Sequence, residues 1–567
     1  MAHTSVALEL GETLEFWAQG PGRMVIVIEG EVVWQVPALA AVPAAYRYHH
    51  REAAEVVVEW DDAITVFWAY SYVPTTVAAT GITMWDFIAT GIVRRHGQEL
   101  ANWMRADETR PLLHFSPPKN WMNDPNGLCK VGDTWHTFYQ FHPCGNDWGP
   151  MHWGHATSKD LFNWLHLPVF LQPEQDLWRL GATGGAFSGT AFADRDGTLS
   201  FFYTERLPAY DLFTGYREIQ KRAAPDRHMV KSEGETLVLE KRPPGVHHDF
   251  RDPKVWWDQS AQAYRMVLGA SIDGIPAVLL YGSANLASWT YLGPLYLAPR
   301  HYADAGARAV ECPDFFPLDG KWVLLMGFVG LTEASTGRHN LLYALVGDFV
   351  ADEFVPESPE LQVLDFGTDF YALQSFTAGD RQLALAWLFN WQYRKTAASP
   401  YSGELSLPRQ LKLDDRNRLS MQIVDEFDGA VWREPLQPDR LGDYAVGKAP
   451  FELTLSGPLA GTMIRASEAD RLTFEITVRD KVLSVTLDQD DGSIHYFAPV
   501  DAAEDIRVVY DTGIVEIFAD NGTVCGTRRS YANISPDRLQ VMSSAKAAVC
   551  ALHLKNTTST PAINTGQ

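Results

Sequence analysis

The chain has 567 residues, of which 46% are hydrophobic and 21% charged, and a formal net charge of −23. This length exceeds what one hydrophobic core covers, so it predicts two or three domains, and the composition is that of a globular protein. The acidic balance argues against nucleic acid or an anionic membrane as a partner and favours a neutral ligand.

The cysteines and the N-terminal residues indicate the cellular compartment of the protein. Five cysteines are widely spaced and form no Cys-x-x-Cys pair, which suggests neither a disulfide framework nor a zinc site. The first residues lack the basic segment and apolar run of a secretory signal. We therefore expect a cytoplasmic protein. Residues 66–93 are long and apolar enough to span a bilayer, but they contain Pro74 and Asp86, so we interpret them as a strand and a buried helix and expect no membrane partner.

Residues 1–105 predict a small N-terminal β module with a linker helix. Its segments around residues 24–36 and 55–70 are rich in β-branched and aromatic residues separated by Gly, Pro and Asp. Residues from about 83 to 105 are interpreted as mostly helical. We expect the module to pack on the next domain through its Trp-rich strands or to mediate self-association, so a homo-oligomer stays open.

The remaining chain also predicts β structure. Over residues 106–430, apolar strands recur roughly every 60 residues, which is typical of one four-stranded blade per unit. This favours a five-bladed β-propeller, with a pair of β-sandwiches as the alternative. Residues 431–567 alternate strands with Gly-containing hairpin turns and predict a C-terminal β-sandwich. The predicted fold class is therefore all-β.

The stretch 121–127, Trp-Met-Asn-Asp-Pro-Asn-Gly, is the most informative in the sequence. Pro125 removes a backbone donor and disfavours helix at Asp124, while Asn126 and Gly127 tolerate the positive φ of a turn. We expect Asp124 at the mouth of a strand and turn, with its carboxylate held in a fixed direction.

Two further motifs place a carboxylate beside a proline. They are Arg251-Asp252-Pro253 and Glu311-Cys312-Pro313. If the propeller is correct, strand ends from distant parts of the chain meet at its central channel, so Asp124, Asp252 and Glu311 would face one ligand. Convergent carboxylates without a metal or a phosphate loop are typical of glycoside hydrolysis.

These motifs resemble those of glycoside hydrolase family 32, the invertases and fructanases. Asp124 lies in a stretch similar to the family's nucleophile motif, Asp252 in one similar to its transition-state motif, and Glu311 in one similar to its acid/base motif. The resemblance extends over residues 112–425, and Val515-Glu-Ile-Phe resembles the family's sandwich. Residues 1–105 depart from it, because family members typically begin near the first motif.

The resemblance implies a retaining mechanism on β-fructofuranosides such as sucrose and fructo-oligosaccharides. Asp124 would attack the anomeric carbon, Glu311 would protonate the leaving oxygen, and Asp252 would hold ring hydroxyls. Arg251 would pair with a carboxylate. Further residues expected to bind substrate are Asn123, Gln140, Trp148, Phe187, Ser188 and Asp369.

Other interpretations stay open at this stage. Fructosyl transfer to a second sugar uses the same donors, and a non-catalytic fructan-binding protein or an inverting glycosidase are more distant alternatives. Arg338, His339 and Lys395 are candidates for binding the phosphate of sucrose 6-phosphate. We expect no cofactor, and we interpret His152 and His155 as packing residues rather than metal ligands.

Overall fold

The chain folds almost entirely into β-strands, which confirms the predicted all-β class. The structure is a computed structural model. It describes residues 2–36, 41–174, 177, 184–209, 215–334, 336–367, 369–388, 395, 399–439, 442–489, 492–501, 504–532 and 534–555.

The N-terminal module, residues 2–105, is built from two sheets that enclose a core of their own. One sheet has the order β1-β6-β3-β4 and the other β5-β2-β7-β8-β9. The strands are β1 Ala2–Leu8, β2 Thr13–Gln19, β3 Met24–Ile28, β4 Glu31–Val36, β5 Ala44–His49, β6 Ala54–Trp60, β7 Thr65–Tyr72, β8 Thr83–Ile88 and β9 Gly91–His96. Two helices follow β7 and β9, namely α1 Val77–Thr80 and α2 Gln98–Arg105.

The prediction of a helix from about residue 83 was wrong for its first half. Residues 83–96 form the β8–β9 hairpin, and only α2 is helical. In the hairpin the buried Asp86 of β8 is compensated by two partly exposed cations, Arg95 of β9 and Lys119 beyond the module. In the stretch 66–93 the expected strand is present as β7, but the expected buried helix is replaced by the four-residue α1 and the β8–β9 hairpin. None of the helices that the structure describes is long and apolar enough to cross a membrane.

Five sheets follow in chain order between residues 120 and 423, and we call them the five-sheet ring. Each starts with one long strand and adds its next strands antiparallel. The first two sheets contain β10 Asn120–Val131, β11 Thr134–His142, β12 His152–Ser158, β13 Trp164–Leu171, β14 Gly185–Ala193, β15 Leu199–Pro208, β16 Tyr216–Pro225 and β17 Ser232–Leu239.

The third and fourth sheets contain β18 Phe250–Asp258, β19 Ala263–Ile272, β20 Ile275–Ser283, β21 Thr290–Leu297, β22 Ala309–Leu318, β23 Lys321–Val329, β24 Leu342–Val350, β25 Glu353–Pro356 and β26 Gln362–Val363, with α3 Arg300–Asp304 before β22. The fifth contains β27 Tyr371–Ala378, β28 Arg381–Leu388, β30 Glu404–Leu405, β31 Arg409–Leu413 and β32 Leu419–Ile423, while β29 Tyr401–Ser402 pairs with β10.

The five sheets close on themselves through their first strands. β10 contacts β14, β14 contacts β18, β18 contacts β22, β22 contacts β27, and β27 contacts β10. Each first strand therefore has one first strand on either side, and all five share one centre.

All five first strands carry the same irregularity, a bulge with one extra residue relative to the neighbouring strand. The extra residue falls directly after Met122, Ala186, Arg251, Glu311 and Tyr371. Equivalent bulges thus recur roughly 60 positions apart, which explains the spacing visible in the sequence.

The C-terminal region is a sandwich of two six-stranded sheets around an apolar core. Their orders are β33-β44-β35-β40-β41-β42 and β34-β43-β36-β37-β38-β39. Helix α4 Glu426–Ala430 leads into β33 Val431–Pro435, β34 Asp443–Ala445, β35 Phe451–Ser456, β36 Thr462–Glu468, β37 Arg471–Arg479, β38 Val482–Gln489, β39 Gly492–Pro499, β40 Asp505–Asp511, β41 Ile514–Ala519, the 3₁₀ turn Asp520–Gly522, β42 Val524–Arg529, β43 Arg538–Met542 and β44 Lys546–Leu554.

One large apolar cluster joins the three regions. It contains Trp17, Trp68 and Leu100 of the N-terminal module, together with ring residues such as Phe141 and sandwich residues such as Phe518. The prediction that the module packs on the next domain through its tryptophans is therefore confirmed.

Candidate active site

A pocket of about 390 Å³ opens at the centre of the five-sheet ring. Its wall contains carboxylates from three different sheets, Asp124 of β10, Asp252 of β18 and Glu311 of β22. Nine of the ten residues predicted from the sequence line it, namely Asn123, Asp124, Gln140, Trp148, Phe187, Ser188, Arg251, Asp252 and Glu311.

The bulges explain why these residues face the pocket. A bulge re-aims side chains and breaks the regular alternation of a strand. Asp252 and Cys312 lie within their bulges and adopt the left-handed region, with φ of 64° and 47°. Asp124 is the second residue after the paired Met122, and a proline follows it. The expected strand-to-turn junction at Asp124 was wrong, because β10 continues through Gly127 to Val131 with bulges in place of a turn.

Asp124 is oriented by donors on both of its oxygens. The Ser188 hydroxyl donates to Oδ2 at 2.6 Å, and the Asn123 amide donates to Oδ1 at 3.1 Å. Asn123 is itself held by Trp121, whose indole Nε1 donates to its Oδ1 at 2.8 Å. Burial raises the pKa of Asp124, and the Ser188 and Asn123 hydrogen bonds oppose that rise. The carboxyl group is thus fixed in direction, while its hydrogen bonds offset only part of the free-energy cost of burying its charge.

Glu311 also has a partner at each oxygen. Arg251 Nη2 donates to Oε1 at 2.8 Å, and the Tyr371 hydroxyl donates to Oε2 at 2.7 Å. The next residue, Cys312, brings its thiol within 3.7 Å of Asp124 Oδ2. The residue next to Glu311 in the sequence therefore contacts Asp124 directly.

Arg251 is shared among several buried carboxylates. Besides Glu311 it contacts Asp249 at 2.5 Å and Glu218 at 3.3 Å, and its Nε lies 3.9 Å from Asp252 Oδ2. One cation cannot compensate all of these charges fully.

The sharing of Arg251 among these carboxylates affects the pKa of Asp252 most strongly. It accepts a hydrogen bond from the Cys312 backbone N–H at 2.8 Å, while its own N–H donates to Thr204 Oγ1 at 2.9 Å. Burial, reinforced by the neighbouring Glu311, raises the pKa of Asp252 to about 8 despite the nearby Arg251. The carboxyl group therefore has bonding capacity left for a ligand.

The tenth predicted residue, Asp369, does not join the pocket. It is fully buried against the C-terminal sandwich, where it accepts from the Arg529 backbone N–H at 2.7 Å and lies 3.2 Å from Arg528 Nη1. The structure thus places Asp369 away from the pocket, against sandwich residues about 160 positions later in the sequence.

The residues proposed for phosphate binding are also engaged away from the pocket. Arg338 donates to Glu333 Oε1 at 2.8 Å and to the Phe366 carbonyl, and Lys395 contacts Glu404 at 2.7 Å. Instead, Arg206 and Arg308 line the pocket. Neither has a carboxylate partner among the residues that the structure describes.

Several residues of the pocket wall were not among the predicted site residues. They are Cys312, Arg206, Arg308, Asn340, Tyr371 and Trp387. Tyr371 directly precedes a bulge, as Glu311 does in the preceding sheet, so the recurring spacing of the first strands is the signal that could have identified it.

Histidines do not form a metal centre in the described part of the chain. His152 accepts from Trp17 Nε1 at 3.2 Å, and His155 lies 3.0 Å from His136 Nδ1 and stacks on Phe138. Within the described ranges no three His, Cys, Asp or Glu side chains are grouped so that they could hold a metal ion.

Paired carboxylates in a pocket at the centre of a β ring are the groups that glycoside hydrolysis requires. Comparison with known sequences gives the particular family. The family model described as "Glycosyl hydrolases family 32 N-terminal domain" matches residues 114–422. A second family model, described as "Glycosyl hydrolases family 32 C terminal", matches residues 458–558. The chain belongs to glycoside hydrolase family 32.

Two bacterial relatives illustrate the range of similar proteins. A levanase of Bacillus subtilis is 39% identical over 54% of this chain and 45% of its own length, so less than half of that protein is matched. A sucrose-6-phosphate hydrolase of Zymomonas mobilis is 38% identical over 62% of this chain and 69% of its own length.

Solved structures extend the comparison to the whole chain. A glycoside hydrolase family 32 structure from Bifidobacterium adolescentis covers 98% of this chain with a TM-score of 0.86 at 23% identity. The Bombyx mori β-fructofuranosidase covers 81% with a TM-score of 0.66 at 27% identity. Since the first covers nearly the whole chain, its fold includes a counterpart of the N-terminal module.

Proposed function

We propose that this protein is a retaining β-fructofuranosidase that releases terminal β-D-fructofuranosyl units from sucrose and fructo-oligosaccharides. The observation that carries the proposal is the convergence of Asp124, Asp252 and Glu311 on one pocket from three separate bulged strands. The names of the relatives supply the substrate class. We further propose that the five-sheet ring is the five-bladed β-propeller expected from the sequence.

In the first step Asp124 acts as the nucleophile. Its carboxylate attacks the anomeric carbon, the bond from that carbon to the leaving oxygen breaks, and the electron pair goes to that oxygen, which takes a proton from Glu311. The Ser188 and Asn123 hydrogen bonds hold Asp124 in one direction for this attack. The product is a fructosyl ester of Asp124 and the free leaving sugar.

In the second step Glu311 acts as the base. Water attacks the anomeric carbon, its proton goes to Glu311, and the ester bond breaks to restore Asp124. Tyr371 supports both states of Glu311, because a tyrosine hydroxyl can donate to a carboxylate or accept from a carboxylic acid. Two displacements at one carbon return the original configuration.

Asp252 and Arg251 serve the transition state. As positive charge develops on the ring, the ionised form of Asp252, which prevails in the free protein above about pH 8, binds the adjacent hydroxyls more strongly. The free capacity of Asp252 fits this role, and Arg251 keeps the surrounding carboxylates in place. Gln140, Trp148 and Phe187 complete the wall around the sugar.

Incubation of the purified protein with sucrose tests the proposal. Equal amounts of glucose and fructose are expected. An excess of glucose with new oligosaccharides would instead assign fructosyl transfer, and an unchanged sucrose concentration would leave a fructan-binding protein.

Sucrose 6-phosphate is a second candidate substrate, favoured by Arg206 and Arg308 in the pocket wall. Guanidinium groups bind phosphate well, and a cation without a carboxylate partner is available to do so. If this is correct, kcat/KM is higher for sucrose 6-phosphate than for sucrose, and Arg308→Gln removes about 10-fold or more of that preference while sucrose cleavage persists. Equal values for the two substrates would reject the candidate.

A further inference from the structure

The loop that carries Trp148 forms one wall of the pocket. This loop, residues 143–151, connects β11 to β12, and we call it the Trp148 loop. The Trp148 ring meets Phe187 edge-on, with ring centres 5.8 Å apart. The position of this loop therefore determines the shape of the pocket that a sugar would enter.

The far end of the Trp148 loop is tied to the N-terminal module. Trp17 of β2 donates its indole Nε1–H to His152 Nε2 at 3.2 Å. Because Nε2 accepts, the proton of the neutral ring is on Nδ1, which donates to the Pro150 carbonyl at 3.0 Å. Burial, which lowers the pKa of His152 to about 3, keeps the ring neutral. One imidazole thus links Trp17 to the backbone two residues from Trp148.

The near end of the loop has a second tie to the module. The Asn120 side-chain amide donates to the Pro143 carbonyl at 2.7 Å and also lies 3.4 Å from the Phe67 carbonyl of β7. Beside it, Trp68 packs edge-on against Phe141. Both ends of the loop are therefore held by groups that contact the N-terminal module.

The module itself is fixed to the ring next to Trp17. Glu15 lies two residues earlier on β2, hence on the same face, and accepts from Lys231 Nζ at 2.6 Å. Lys231 also donates to the Val169 carbonyl, while the Val169 N–H donates to the Tyr70 hydroxyl at 2.9 Å. These buried contacts give Trp17 a defined position relative to β12.

The neighbours of His152 extend the tie to the opposite wall. The Met151 carbonyl accepts from the Ala186 N–H at 3.0 Å, and the Trp153 indole donates to the Phe187 carbonyl at 3.0 Å. Phe187 directly precedes Ser188, the donor to Asp124. His152 therefore lies beneath the junction of two pocket walls.

We propose that Trp17 is a positioning residue, and that the N-terminal module sets the affinity of the pocket by holding the Trp148 loop through the Trp17–His152 hydrogen bond. The kinetic part of this inference rests on the proposed sucrose cleavage. The part that concerns the loop does not.

Two matched variants test the inference in the full-length protein. Trp17→Phe keeps an aromatic ring but removes the donor to His152. Trp85→Phe removes an equally buried indole hydrogen bond, the 2.8 Å contact to Ser71, that stays inside the module. Both variants lose one internal hydrogen bond, so a purely structural effect would be similar in the two.

We expect Trp17→Phe alone to change the loop and the affinity. Amide hydrogen exchange over residues 143–151 becomes faster, and KM for sucrose rises about 3- to 10-fold, the scale of one hydrogen bond, with kcat within about twofold. Trp85→Phe leaves both unchanged. If Trp17→Phe does not fold, His152→Phe, which removes the acceptor, is measured in its place.

Equal exchange over residues 143–151 in the two variants would overturn the inference, as would an unchanged KM in a Trp17→Phe protein that cleaves sucrose. A wild-type protein that leaves sucrose intact would count against the proposed function alone, and the exchange result would still decide the role of Trp17.

Discussion

Buried carboxylates occur in two regions of this molecule, and their environments are opposite. At the contact between the ring and the C-terminal sandwich, His114 lies 2.8 Å from Asp511 and 3.2 Å from Glu516, which also accepts from Arg409 at 2.9 Å. Although burial opposes it, Arg409 and His114 lower the pKa of Glu516. In the pocket, burial raises the pKa of both Asp124 and Asp252.

The difference lies in the number of cations and donors for each carboxylate. The interface matches its acids with His114 and Arg409, so their charges stabilise the contact between domains. The pocket shares Arg251 among several acids and leaves Asp252 bonding capacity for a ligand. Groups arranged for chemistry are thus destabilising in the free protein, as is common at functional sites.

The largest difference between the regions is expected for Asp124→Asn. An amide cannot form the ester intermediate, so kcat for sucrose falls by about 10⁴-fold or more, the scale of nucleophile removal. Fructose release measures it. The interface control Asp511→Asn lowers stability but leaves kcat of the folded protein within a few-fold. A comparable loss of kcat in both variants would contradict the proposed difference between the pocket and the interface.

Glu311→Ala should be less severe and should depend on the leaving group. With sucrose, kcat falls by about 10²- to 10⁴-fold, the range of general acid catalysis. With fructosyl fluoride, whose leaving group needs much less proton help, formation of the fructosyl-enzyme persists, and added azide yields a fructosyl azide.

The matched variant for this experiment is Asp124→Ala, which should gain nothing from the activated substrate in the retaining direction. If Asp124→Ala cleaves fructosyl fluoride and Glu311→Ala does not, the two roles are reversed.

Glu516→Gln should show the opposite profile, with a loss of stability but not of chemistry. It leaves His114 and Arg409 buried without their shared carboxylate, which costs about 3–5 kcal/mol of unfolding free energy. Denaturant titration measures the loss, and kcat at a temperature where the variant is folded stays unchanged. A change below about 1 kcal/mol would mean that the interface charges are not matched as described.

Asp252→Asn should stabilise the protein, in a way that depends on pH. Because the pKa of Asp252 is raised to about 8 in the folded state, the folded protein binds more protons than the unfolded chain between about pH 4 and pH 8. Stability therefore falls as pH rises through that window. An asparagine avoids this loss, so we expect a gain of about 2–5 kcal/mol at pH 8.5 and almost none at pH 4.

His114 is the interface counterpart, and its charged form stabilises the folded protein, whereas the charged form of Asp252 destabilises it. Although burial opposes it, Asp511 and Glu516 raise the pKa of His114 to about 9. Its contribution is fully present below about pH 6.5 and is lost as pH rises through about 9. His114→Gln should therefore lose most stability at pH 6 and little at pH 10. A loss that does not vary with pH would contradict the charged state of His114.

Local sequence predicted the three acid motifs because each contains a chemical irregularity. A proline follows Asp124, Asp252 and Cys312, and a strand with a proline beside an acid is unusual. The two remaining bulges, after Ala186 and Tyr371, contain no proline, so Tyr371 lacks the local irregularity that marks the three acids.

Long-range pairing accounts for the errors. In the β8–β9 hairpin, which was predicted as helix, Asp86 is compensated by Arg95 across the hairpin and by Lys119 outside the module. Asp369 lies away from the pocket because its partners, Arg528 and Arg529, belong to the sandwich. Those contacts produce no local sequence pattern. The bulges, in contrast, recur along the chain and produce a regular spacing of motifs that is visible in the sequence.

The most direct test of the central claim is the configuration of the first fructose released from sucrose, followed by proton NMR before mutarotation. If Asp124 is a nucleophile assisted by Glu311, two displacements retain the configuration and β-fructofuranose appears first. If α-fructofuranose appears first, water attacks directly, and Asp124 forms no covalent intermediate.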